Sequence, residues 1–264
     1  MIRPRSEVRP TRGAVPRGLA RVAILAAAML CATGCRHASE RESFAKLYRV
    51  KAEAKLDRGD TVEAAMALSR AERLDPKSAD TQLLIGEVFR REGHPDEAEA
   101  RYRRALKLRP EFPEAHNNLG VIQAGRRNWD EAIREFRLAA ENEKYGQRDR
   151  AYNNLGRAYV EKKDLAAAGK AFRSAIALNS RLPESYVNLG RVLSTRGDLD
   201  GGAAALRSAI RLDPRAAEPR YQLAVVLIRM GRREQAIVEL RSVVQLDPSG
   251  SLAEEAHRQL SILE

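Results

Sequence analysis

The sequence predicts an all-α fold, a right-handed superhelix of six helix-turn-helix repeats closed by a C-terminal capping helix. Three observations predict it. A spacing of 34 residues separates near-copies such as Tyr152-Asn153-Asn154-Leu155-Gly156 and Tyr186-Val187-Asn188-Leu189-Gly190, and His116-Asn117-Asn118-Leu119-Gly120 is a third. Small and large apolar residues recur at fixed places in that period. Turn residues and prolines punctuate it at matching offsets.

A period of this length belongs to stacked helical hairpins of the tetratricopeptide (TPR) type, in which each hairpin buries its apolar stripe against the next. The frame places repeats at 45–78, 79–112, 113–146, 149–182, 183–216 and 217–250, with Gln147-Arg148 inserted between the third and fourth. In each first helix a small residue is needed where the two helices approach: Ala52, Gly86, Gly120, Gly156, Gly190 and Ala224. Each second helix answers with a small residue (Ala64, Ala98, Ala132, Ala168, Gly202, Ala236) and, four further on, a bulky one (Leu68, Tyr102, Phe136, Phe172, Leu206, Leu240). Small against large in one register predicts interdigitated helices.

The turns agree with this. Gly59, Gly93, Gly197 and Gly231 suit a tight reversal. Asp60, Asn128, Asp164 and Asp198 stand one residue before a second helix, as N-caps do, and Asp60 with Glu63 and Asn128 with Glu131 have the spacing of reciprocal caps. Pro76, Pro110, Pro214 and Pro248 stop second helices, whereas Lys144 and Ser180 fill that slot in repeats three and four. Repeat one departs most, with Lys51 and Lys55 at usually apolar positions, as terminal repeats often do. Gly201-Gly202 weakens the second helix of repeat five by about 1 kcal/mol per glycine relative to alanine. Residues 251–264, with Leu252, Ala256, Leu260 and Leu263 on one face, form the capping helix.

The N-terminus has another character. Residues 1–34 carry six arginines and one acid, a large share of the chain's net charge of +11. The arginine-rich start, the apolar run Val22 to Cys31 and the small residues Ala32-Thr33-Gly34 predict a secretory signal peptide, and that run is too short to span a bilayer. Ala32-Thr33-Gly34-Cys35 resembles a bacterial lipobox. The resemblance implies a lipid-modified Cys35 as the first mature residue, although Ala32 stands where that pattern prefers Leu. A plain signal peptide cut near Gly34 is the alternative. Residues 35–44 read as the lipidated N-terminus and a polar tether.

Charges elsewhere are interleaved, as on solvated helix faces, with no basic stripe bearing stacking aromatics for nucleic acid. Two cysteines and four scattered histidines offer no metal spacing, and neither a nucleophile elbow nor a phosphate loop is present. The sequence therefore predicts a binding protein rather than an enzyme, with no cofactor, metal or small-molecule substrate.

The binding surface expected is the groove lined by first helices. Asn118, Asn154 and Asn188 lie two residues before the small position and point into it; an amide can satisfy a peptide N–H and C=O together. Bonding within or between repeats is the equal alternative. Leu83, Val121, Val187 and Tyr221 supply an apolar floor among Asn117, Asn153, Arg157 and Arg191, suited to a peptide or helix laid in the groove. The competing role for the apolar members is packing between hairpins.

The segment from Tyr145 through Gly146-Gln147-Arg148 to the Asn153-Asn154-Leu155-Gly156 run, with Ala177-Leu178-Asn179 beyond it, resembles the TPR lipoproteins of type IV pilus biogenesis, the pilotins of the PilF/PilW and Tgl type. That resemblance implies an envelope lipoprotein held by Cys35 on the periplasmic face of the outer membrane. It also implies capture of a secretin subunit in the groove and promotion of its assembly. The alternative is a periplasmic TPR lipoprotein scaffold that recruits peptidoglycan enzymes.

Overall fold

The computed structural model describes residues 39–264, and every regular element among them is an α-helix, in agreement with the predicted class. The chain divides into two compact units at Lys77/Ser78. The first contains α1 (residues 39–57) and α2 (Thr61–Leu74). The second contains α3 (Ala79–Arg91), α4 (Pro95–Leu108), α5 (Pro113–Gly125), α6 (Trp129–Glu141), α7 (Arg148–Glu161), α8 (Leu165–Leu178), α9 (Pro183–Thr195), α10 (Leu199–Leu212), α11 (Ala217–Arg229), α12 (Arg233–Leu246) and α13 (Ser251–Leu263). The residues expected to form a signal peptide, and Cys35, lie outside the described residues. Of the expected tether, residues 39–44 are helical, the opening of α1.

In the first unit α1 buries Ala45, Ala52 and Leu56, and α2 buries Ala64, Leu68 and Ala71. The Arg70 guanidinium sits 5.6 Å from the Tyr48 ring centre, joining the two helices, since a cation is drawn to an aromatic face.

The second unit is a row of antiparallel hairpins with overlapping cores instead of one central core. Ala132 and Phe136 of α6 pack with Leu155 and Ala158 of α7 and Ala171 of α8. Ala168 and Phe172 of α8 pack with Leu189, Val192 and Leu193 of α9. The row ends where α13 lays Ala256 and Leu260 on Leu240 and Val243 of α12. A side chain at Gly86, Gly120, Gly156 or Gly190 would run into Tyr102, Phe136, Phe172 or Leu206 respectively, with a Cβ placed 2.5–2.7 Å from the bulky group. The bulky residue thus uses the space its partner glycine leaves empty. Gly202 lies equally close to α9: a Cβ there would meet the Ser194 hydroxyl and sit 3.0 Å from the Gly190 carbonyl.

Turns follow one geometry regardless of residue. Gly59, Gly93, Gly197 and Gly231 have φ between +72° and +93°, and the same slot in repeats three and four holds Arg127 (φ 61°) and Lys163 (φ 62°) in left-handed backbone. Second helices end in a side-chain turn where Asp75, Asn142, Asn179 and Asp213 accept from the N–H two residues on, at 3.0–3.2 Å. This stop works at Lys144 and Ser180 without the proline.

The expected caps form in two cases of four. Asp164 accepts from the Ala167 N–H and Asp198 from the Gly201 N–H, both at 2.9 Å. Asp60 and Asn128 make no cap bond. Glu63 pairs instead with Lys55 at 2.5 Å, Glu131 with Arg103 at 2.9 Å, and Asn128 donates to Gln123 at 2.9 Å. The charged donors Lys55 and Arg103 take the two carboxylates ahead of backbone N–H groups, and the Asn128 amide is turned toward Gln123.

The insertion is a packing device. Tyr145 is buried against Ala139, Ala140 and Ala151, and burial, followed by the nearby Glu114 charge, pushes its hydroxyl up to about 12. Arg148 reaches back to donate to the Ala140 carbonyl at 2.9 Å, satisfying an end of α6.

Candidate partner-binding groove

First helices α5, α7 and α9 lie side by side, so equivalent residues form rows across them. A residue and the one four further on share a helix face. The row after the glycine (Val121, Arg157, Arg191) is therefore continued by Gly125, Glu161 and Thr195. These rows, with Asn154, Asn188 and Trp129, line a cavity of about 460 Å³. A second hollow of about 370 Å³ shares Arg157, Asn188 and Arg191 with the first and runs on to Glu218 and Pro219 of α11. Apolar surface comes from Val121, Val160 and Trp129, the last packed on the Ala132–Phe136 cluster at its other edge. The guanidinium groups are exposed, and Arg157 has Glu184 at 3.9 Å, too far apart and too wet to hold it firmly.

Of the predicted site residues, the structure brings Val121, Asn154, Arg157, Asn188 and Arg191 together around this trough. Asn118 is half-buried and outside this lining, with the Asn117 amide 3.5 Å from its oxygen. The others turn to packing. Leu83 joins the clusters of α4 and α5, and Tyr221 that of α12 and α13. Val187 is only 8 % exposed, built into the core with Leu206 and Leu223 while its edge touches the second hollow.

The asparagines bond between repeats, the structural role of the two that were open. Asn154 donates to the Asn117 carbonyl at 3.2 Å, and Asn188 to the Asn153 carbonyl at 3.2 Å. Asn153, 4 % exposed, also accepts from the Ser185 hydroxyl at 3.2 Å. The residue nearer the glycine on one helix is thus fixed by the preceding asparagine of the helix before it. Each fixed amide keeps one N–H and its carbonyl for a third party, which is what one peptide unit requires. Reasoning from the sequence missed Trp129, Val160, Glu161 and Thr195 as lining. The one-turn offset from Arg157 and Arg191 was the available signal for the last two.

A polar clamp braces the rear of the first helices. His116 places Nδ1 2.6 Å from the Glu135 carboxylate and Nε2 2.9 Å from the Pro110 carbonyl. Arg220 does the same in repeat six, donating to Glu239 at 2.9 Å and to the Pro214 carbonyl at 3.3 Å. Both partners of the imidazole are acceptors, so the doubly protonated ring is favoured. Burial works against that charge, but the Glu135 and Pro110 bonds outweigh it and hold the pKa above the ordinary histidine value.

Tetratricopeptide repeat models match residues 83–147, 149–181 and 193–260, together more than half of the chain. A curated relative, type IV pilus assembly protein PilF of Pseudomonas aeruginosa, is 31 % identical over 128 residues, which cover 48 % of this chain. The matched stretch is 51 % of that relative, so the chain spans about half its length. In solved structures, the fold is similar to that of Pseudomonas aeruginosa PilF (TM-score 0.75, 22 % identity, 83 % of this chain and 99 % of that one). It is also similar to that of PilW, a widely conserved type IV pilus biogenesis factor (TM-score 0.72, 19 % identity, 80 % and 97 %). At these identities the structural likeness speaks for the fold.

Proposed function

Because this chain belongs to the tetratricopeptide repeat family, we propose that its work is capture: it holds an extended segment of a partner protein in the trough across α5, α7 and α9. The observation that carries this reading is the pair Asn154 and Asn188. Each is oriented by a neighbouring amide, and each retains a donor and an acceptor beside an apolar floor and two exposed guanidinium groups. A backbone held by amides and side chains seated on Val121 and Trp129 make a sequence-tolerant grip with modest side-chain preference. Asn118 extends the ladder toward the preceding repeat.

The setting is the bacterial envelope. Residues 1–34 serve as a lipoprotein signal peptide and Cys35 carries the lipid, on the periplasmic face of the outer membrane. The client is a secretin subunit of the type IV pilus, whose assembly is favoured by concentrating it beside the anchor. Similarity to a type IV pilus assembly protein supports this choice of client. A photo-crosslinking residue in place of Val121 or Arg157, introduced in intact cells, is expected to trap a secretin. Deleting the gene is expected to abolish heat-stable secretin multimers. Normal multimers in the deletion strain, or a different trapped protein, would overturn the assignment.

A further inference from the structure

The first and the last hairpins of the chain are finished differently. The last hairpin is covered by α13. In the first hairpin Phe44, Leu47 and Val50 of α1, three residues apart along one side of the helix, are 56, 61 and 53 % exposed. These are stacking positions. Their counterparts in the third repeat, Phe112 and Ala115, bury against Ala105 of the hairpin before. Other repeats place buried Leu119, Leu155 and Leu223 where α1 carries the exposed Lys51.

Lys51 decides what kind of surface fits. A second copy stacked hairpin on hairpin would drive its ammonium into an apolar seam, where an unpaired charge is costly. At a lipid–water boundary the same side chain lies along the apolar surface and keeps its charge in water, while Phe44, Leu47 and Val50 enter the acyl region. The chain's own reach agrees. The described α1 starts at residue 39, four residues along the chain from Cys35, a span of at most about 14 Å.

We propose that the outer face of α1 is a lipid-contact surface, lying on the leaflet that holds the Cys35 acyl chains. This rests on the lipid-anchor reading, and it adds a second, weaker membrane signal to the acyl chains.

The test uses the full chain, processed and acylated in a bacterial envelope, with Trp129→Phe so that an introduced tryptophan is the sole one. Phe44→Trp and Leu47→Trp are compared with Val238→Trp, an exposed position on α12, on vesicles of phosphatidylethanolamine and phosphatidylglycerol bearing brominated acyl chains. Quenching at 44 and 47 with none at 238 is expected. Equal fluorescence at all three positions overturns the proposal. So does self-association in sedimentation that Leu47→Asp abolishes, because a second copy then covers the face, or protection of residue 44 by a bound envelope protein. Intact mass reports on Cys35 separately. An unmodified cysteine with quenching at 44 and 47 supports the lipid face and removes the anchor; an acylated cysteine without quenching does the reverse.

Discussion

Phe172 occupies the volume that a side chain on Gly156 would need: a Cβ at Gly156 would lie 2.5 Å from Phe172 Cε1. The same relationship holds sixteen residues apart at Gly86/Tyr102 and Gly120/Phe136, whereas repeats one and six pair alanine with leucine, Ala52 with Leu68 and Ala224 with Leu240. Across these repeats, ring size and the small residue trade against each other.

Gly156→Ala is therefore expected to destabilise by about 1–3 kcal/mol through overpacking. Adding Phe172→Leu to it recreates the pairing of the terminal repeats and is expected to recover part of the loss, so the two changes are not additive. Denaturant melts of the two single variants and the double variant check this; additive losses would show that the pair is not the unit of packing.

Lys163 adopts φ 62° in a turn where four other repeats use glycine. Lys163→Gly removes the clash of a side chain in left-handed backbone, and a gain of about 0.5–1 kcal/mol is expected. The same change at Lys162, whose backbone is right-handed, is expected to lose stability. Thermal melting of the two variants decides the sign.

The His116 clamp makes stability depend on pH. The folded imidazole has a raised pKa, so its contribution is complete below the unfolded value near 6.5 and is lost as pH rises through the folded value. His116→Arg reproduces the Arg220 arrangement and is expected to flatten this dependence. His116→Ala strands the Glu135 carboxylate and is expected to cost about 2 kcal/mol at neutral or lower pH. Unfolding free energies measured across pH for the three proteins test the order.

The asparagines should separate into structural and presenting members. Asn153→Ala removes an acceptor used by Ser185 and Asn188 and is expected to cost about 1–3 kcal/mol. Asn154→Ala removes one half-buried bond and is expected to cost less than about 1 kcal/mol while weakening capture of a client peptide. Melting curves paired with peptide affinity distinguish them. Equal losses of stability would mean that both are structural.

How far the sequence could be read varies by position. The glycine–ring pairs were legible because the partners sit a fixed sixteen residues apart inside one hairpin, and the pattern repeats. Asp164 and Asp198 were legible as caps because their acceptors and donors are three residues apart. Asp60 and Asn128 were misread by the same rule, since Lys55 draws Glu63 and lies near Asp60, and Gln123 holds the Asn128 amide, partners that spacing does not rank. For Val187 and Leu83 the spacing left groove floor and inter-hairpin packing open; both pack between helices, and Val187 also edges the second hollow.

The 34-residue period and the alternation of small and bulky residues are enough to dictate hairpins, their turns and their order, because those depend on contacts between near neighbours in the chain. Which asparagine donates to which, which acid abandons its cap, and which apolar residues remain open to a partner are settled in three dimensions. There, groups from adjacent repeats compete for the same few donors and the same volume, and proximity in space ranks them where spacing along the chain cannot.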